Sequence, residues 1–172
     1  MTTSFTAAGV RNAVELLASR SLIRLVTEID ENGAIPPRRL AGTLPDLSSR
    51  QLRHALETAH AHGLVRTAPG AGLELTESGS ELADLYDAVA RWGRRHAYPE
   101  RDCEFSARIC SVLGLLGPSL AAEHAEGFSR RSAARPPSNE CEADPARPRA
   151  LLLQWLAGNP QFTRVAEPEL VV

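Results

Sequence analysis

The sequence predicts a mainly helical fold with one small β-ribbon, and three observations carry that prediction. Apolar residues recur at spacings of three and four along several stretches, beginning with Val10, Val14, Leu17 and continuing through Leu22, Leu25, Val26 and Ile29. Ser48 and Gln51 form a capping pair three residues apart. Two short runs of strand-like residues, 64–67 and 73–76, flank the turn sequence APGAG.

Taken in order, the first periodic stretch is long for one helix, and the small polar residues at 19–21 mark a break in it. Asn32 and Gly33 end it. Pro36 or Pro37 then suits the first turn of a short second helix, where a missing N–H does no harm. That helix must stop before Pro45, because the residue preceding a proline avoids helical angles. Ser48 opens the next helix, with Leu47 and Leu52 placed to form a hydrophobic staple. Gly63 fits the left-handed position just past its end. After the ribbon, Thr76 or Ser78 starts a long helix with the stripe Leu82, Leu85, Tyr86, Val89 and Trp92. Arg91, Arg94 and Arg95 in its last turns complement the helix dipole.

Residues 101–128 read as a helical extension that is apolar nearly all round, the pattern of a buried helix. Residues 129–149 are rich in Pro, Ser, Ala and charge and read as a flexible linker. Residues 150–172 hold a short apolar helix, ALLLQWLAG, and a tail. That helix needs a partner surface, on its own chain, on a second subunit or on another protein.

Composition narrows the function classes. The chain has 172 residues, 43% hydrophobic and 23% charged, as an ordinary globular domain does. A formal net charge of −2 excludes a protein that coats nucleic acid by charge alone, though not a local basic face. Aromatics at 5% argue against a stacking platform for single strands. No apolar run is read as reaching the roughly 20 residues that span a bilayer, and the N-terminus lacks the apolar block of a signal peptide. A soluble cytoplasmic protein without membrane association is expected. All 19 basic residues are Arg, so every positive group is a planar fork suited to phosphate or guanine edges.

Helix, helix–tight turn–helix, then a two-stranded ribbon is the order of a winged helix-turn-helix with extra C-terminal helices. The second helix of such a pair is held steeply by its partner and can enter the major groove. On this helix, at about 100° per residue, Leu52, Leu56, Ala59 and Gly63 face inward and Arg50, His54, Glu57 and Ala61 face out. Ser49, Arg50, Gln51, Arg53 and His54 therefore stand at the helix start, where base edges are met. Arg bridges guanine O6 and N7, and Gln bridges adenine N6 and N7. Arg38, Arg39 and Arg66 are placed to hold phosphates. Residues 36–67 carry five arginines against Asp46 and Glu57, net +3, whereas residues 68–90 carry five acids and no arginine, net −5. A near-neutral total thus hides a dipolar chain. The bland alternative is a solvated helix face.

The run LPDLSSRQLRHALETAHAHGLV followed by LELTESGSELADLYDAVARWGRRH resembles the HxlR-type winged-helix transcriptional regulators of the broader MarR-like group. The match runs through Leu44, Pro45, Leu47, Ser48, Arg50, Leu52, Leu56, Gly63, Leu64, Val65, Leu75, Thr76, Gly79, Leu82 and Trp92. It covers about residues 20–97. The family's cysteine-proline start is absent, as is its IGGKW-like segment, where LLASRSLI stands instead. The wing tip, Pro69–Gly72, has no basic side chain. The resemblance implies a homodimer built from the first and last helices of the domain, with recognition helices about 34 Å apart for successive major grooves. The competing expectation is that the extension folds back and covers the 82/85/86/89/92 stripe within one chain.

Other chemistries find little support. His60 and His62 diverge by about 200° on a helix, so with His54 and Glu57 they make a poor chelate, and His96 and His124 are isolated. No metal or cofactor is expected. Cys103 and Cys110 share a helix face in this reading, and Cys141 stands apart; buried thiols of this kind are inert. No phosphate loop, nucleophile elbow or carboxylate pair is present, so no enzyme activity is expected. Tyr86, Trp92 and Phe105 could line a pocket for an unidentified small-molecule effector. The expected function is a homodimeric regulator that binds double-stranded DNA. The alternative is a winged-helix interaction or dimerisation module without specific DNA binding. A dimerisation domain like those preceding small-molecule methyltransferase domains is a third option, disfavoured because no cofactor-binding domain follows.

Overall fold

The computed structural model describes residues 6–125 and 145–164. Helix α1 (Ala7–Leu17) starts at Thr6, whose hydroxyl accepts the Gly9 N–H at 3.0 Å. The chain breaks at Ala18 and Ser19 and resumes as α2 (Arg20–Asn32), dividing the long periodic stretch where its small polar residues fall. Helix α3 (Pro37–Thr43) has Pro37 in its first turn, and the chain turns at Leu44 before Pro45.

Helix α4 (Ser49–Ala61) carries the full capping box at Ser48. Its other end is a Schellman closure, with Gly63 N–H donating to His60 O at 3.0 Å and Leu64 N–H to Ala59 O at 2.8 Å. Gly63 supplies the positive φ of 67° that this closure demands. Strands β1 (Val65–Ala68) and β2 (Gly72–Leu75) pair antiparallel, Arg66 opposite Glu74. The ribbon thus sits one residue later on its first strand and one earlier on its second than the sequence pattern suggested. Ile35 adds a bridge on the far side of β2, exchanging both backbone hydrogen bonds with Leu73 at 2.9 Å. Gly72 permits this, because a Cβ there would stand 2.5 Å from Ile35 O.

Helix α5 (Glu77–Arg95) begins at Thr76, whose hydroxyl accepts Gly79 N–H at 3.2 Å and donates to Gly63 O at 2.6 Å. Helix α6 (Phe105–Ala125) packs on α1, α2 and α5. The α5 stripe is therefore covered within one chain: Leu82, Leu85, Tyr86, Val89 and Trp92 are all buried. Over Phe105–Ala122, α6 is long and apolar enough to cross a membrane, with a mean hydropathy of 1.4, contrary to the sequence reading. Half of that window is buried against neighbouring helices, as in a core helix.

Residues 146–149, assigned above to the linker, open α7 (Ala146–Gly158); residues 126–144 and 165–172 lie outside the described residues. Helix α7 docks on α5 of its own chain, and Trp155 Nε1 donates to Ser78 O at 3.3 Å. A final turn, Pro160–Phe162, seats Phe162 against Trp155 edge-on, with centroids 4.8 Å apart. The described fold is thus mainly helical with a small antiparallel ribbon.

Candidate nucleic-acid interface

Two ends of α4 differ sharply. At its N-terminal end, Ser49, Arg50, Gln51, Arg53 and His54 are all exposed. Leu52, Ala55 and Ala59 are buried on the opposite side and hold the helix to α2. At the C-terminal end, His62 stacks on Phe162 with ring centroids 4.4 Å apart. Burial lowers the His62 pKa by disfavouring the imidazolium. Among the described residues, the C-terminal segment covers only the far end of α4 and leaves the Arg50 end open.

The turn before α4 is pinned from below. Arg24 on α2 grips Asp46 with both ends of its fork, at 3.0 and 3.3 Å. Arg20 approaches the same carboxylate at 3.8 Å. The Arg24 hydrogen bond is the main cause holding the Asp46 carboxyl below its ordinary pKa. One of the two acids counted against the basic stretch is thus satisfied by α2.

The remaining charges sort by partner. Arg38, Arg39, Arg50 and Arg53 are exposed and make no ion pair among the described residues. Arg66 is different: its guanidinium pairs with Glu74 directly across the ribbon, so it offers no unbalanced charge to a phosphate. Gln51 is also partly committed. Its Oε1 accepts from the Ser48 N–H and hydroxyl, both at 2.9 Å, leaving its NH2 as the free end. Reading an adenine with both groups would break the cap. Ser49 is exposed at the first position of α4, beside helix N–H groups that favour anions.

Sequence reasoning missed two arginine roles. Arg24 belongs to an amphipathic stretch, and nothing in its spacing announces Asp46. Arg108 is only 3% exposed, and its guanidinium donates to three backbone carbonyls, Tyr98 at 2.8 Å, Arg101 at 2.9 Å and Cys103 at 3.0 Å. It clamps the loop between α5 and α6. Gly93 leaves room for its stem, since a Cβ there would lie 2.9 Å from Arg108 Cγ.

Of the suggested effector wall, Tyr86 reaches no open surface, whereas Trp92 borders a small cavity with Arg91, Arg95 and Leu151. Tyr86 is fully buried and its hydroxyl donates to Leu17 O at 2.8 Å, which makes it core. Burial raises its phenol pKa well above the ordinary value. Cys103 precedes α6 rather than sharing its face, while Cys110 donates to Ala18 O at 3.0 Å and burial raises its thiol pKa. Among the described residues, no three His, Cys, Asp or Glu side chains converge as a metal set.

No family model, curated protein or solved structure matches the chain. Its class is therefore defined by its own geometry, a helical body presenting a capped, arginine-bearing helix start beside a two-stranded ribbon.

Proposed function

We propose that the chain is a winged helix-turn-helix regulator that binds double-stranded DNA as a homodimer, with α4 as the recognition helix. The observation that carries this reading is the open start of α4, where Arg50 and Arg53 stand exposed without carboxylate partners among the described residues. Arg38 and Arg39 at the start of α3 share that condition. The order α2, Ile35 bridge, α3, α4, β1, β2 supports the winged-helix assignment, because the bridge extends the ribbon into a three-segment sheet packed against α2, α4 and α5. In this reading Arg50 and Arg53 contact base edges, with Ser49, His54 and the Gln51 NH2 beside them, and Arg38 and Arg39 contact phosphates.

The test is selection of bound genomic fragments followed by titration across salt concentration. Arg50→Ala is expected to cost about 1–3 kcal/mol on the selected site and to relax preference at one base pair. Binding to no duplex, with the chain folded, would overturn the reading. A second reading, an interaction module without specific DNA binding, draws on the ribbon: its tip has no basic side chain and its one arginine is balanced by Glu74.

A further inference from the structure

We propose that the cavity between the C-terminal end of α5 and the N-terminal end of α7 binds the phosphate of a small phosphate monoester on a hydroxylated skeleton, with Arg91, Arg95 and Arg147 as its donors. The site is separate from α4 and stands whether or not α4 binds DNA.

Packing of α7 on α5 makes the cavity. Arg91 and Arg95 come from the last turns of α5, and Arg147 comes from the first turn of α7. The volume is about 60 Å³, room for about four waters or one phosphoryl group. Buried Trp92 and Pro148 and half-buried Ala88 and Leu151 are its apolar walls. Among the described residues, no carboxylate lines it.

This convergence works against both helices. Like charges one turn apart, as at Arg91 and Arg95, destabilise a helix. Arg147 stands at the positive end of the α7 dipole, and no acid accompanies it in that turn. Local rules broken without an internal gain mark a functional position. Asp87 answers one of the three arginines, accepting from Arg91 Nη2 at 3.1 Å. Arg95 and Arg147 are exposed and make no ion pair among the described residues. Three arginines against Asp87 leave a surplus of two positive charges, which matches a phosphate monoester near neutral pH. A carboxylate or a DNA phosphodiester brings only one. The guanidinium fork fits phosphate oxygens, and the apolar walls exclude water from one side and strengthen the attraction.

Ala88 and Leu151 also line a second space of about 430 Å³ along the same seam. Leu85 and Trp155 give it an apolar floor, and exposed Glu81, Asp84 and Gln154 can accept from hydroxyl groups. Asp84 lies about 10 Å along α5 from Arg91, and Glu81 lies further, so their repulsion of a bound phosphate is largely screened. The seam thus offers a phosphate end and a hydroxyl end.

The experiment is calorimetric titration of the full chain with ribose-5-phosphate, inorganic phosphate and ribose. The ester is expected to bind, inorganic phosphate to bind more weakly and ribose not to bind. Arg95→Gln and Arg147→Gln are each expected to weaken the ester roughly tenfold or more, as loss of a charged hydrogen bond does. Neither should lower the thermal midpoint without ligand, since each removes a like charge. Arg94→Gln, in the same turn but outside the cavity, should keep full affinity. An equal loss in Arg94→Gln, or no loss in either of the other two, overturns the site. So does a wild type that binds neither ester nor phosphate. Inorganic phosphate binding as tightly as the ester means an adventitious ion only. Binding confined to vesicles containing phosphatidic acid, or displacement of the ester by duplex DNA, overturns the small ligand. The chain's own Glu140, Glu142 and Asp144 lie outside the described residues. Ester binding that appears only after Glu140→Gln, Glu142→Gln and Asp144→Asn together would show that these acids fill the cavity, and would overturn a free ligand.

Discussion

The start of α3–α4 and the helical body from α2 to α6 use the same side chain for opposite ends. Within the body, Arg24 is matched to a carboxylate and Arg108 to three carbonyls, each at hydrogen-bond distance. Along α3 and α4, Arg38, Arg39, Arg50 and Arg53 point into water without a counter-charge among the described residues. An arginine whose donors are met inside the chain serves the fold. One whose donors are left to solvent costs the fold little to change and is available to an anionic partner.

The largest effect that could break this contrast is at Arg108. Arg108→Ala leaves three carbonyls without their donor and opens space beside Gly93, so we expect a loss of about 3 kcal/mol or more in urea unfolding. Any change in DNA affinity per folded molecule would erase the contrast. Next comes the cap. Ser48→Ala removes the hydroxyl that accepts from Gln51 N–H, and about 1 kcal/mol of stability should go with it. The backbone N–H at position 48 still holds Gln51 Oε1 in this variant, so the exposed side chains of α4 stay in place and DNA affinity should change less than stability does.

At the exposed edge, Arg39→Ala should leave the unfolding midpoint unmoved while flattening the salt dependence of DNA binding by about one unit. Arg66→Ala should do less. Its pairing with Glu74 is exposed, so about 0.5 kcal/mol or less of stability is expected, with no change in the salt slope. A full unit at Arg66 would show that Glu74 does not balance it on DNA.

The smallest effect is a pH dependence at the covered end of α4. His62 titrates below its ordinary value in the folded chain because burial disfavours its charged form. The unfolded chain therefore binds the proton first. The contribution of this stacking is full above about pH 6.5 and declines as pH falls from there toward the folded-state value. Phe162→Ala should return the His62 titration, followed by NMR, toward about 6.5 and abolish that slope.

Much of the helical order was legible because its signals are local. Pro37, Ser48 with Gln51, Gly63 and Thr76 each act on backbone groups within a few residues, and each marks a boundary found in the structure. The Ile35 bridge was not legible, since a single residue between Gly33 and Pro36 has no periodicity to read. The linker's last residues were misjudged for a related reason. Pro145 and Pro148 suggest a break, yet Pro148 sits in the first turn of α7, where its missing N–H is tolerated.

The exposed side of α4 follows from the sequence alone, because 3.6-residue periodicity with Leu52, Leu56 and Ala59 inward forces Arg50, Arg53 and His54 outward; the structure buries Ala55 with them and leaves Leu56 half-buried. Which arginines remain unpaired is a tertiary fact. Arg24 and Asp46 are 22 residues apart, and Arg108 meets a loop closed by the α5–α6 turn. Such partners are chosen by how the helices pack, and packing is a property of the whole core rather than of any short stretch of chain.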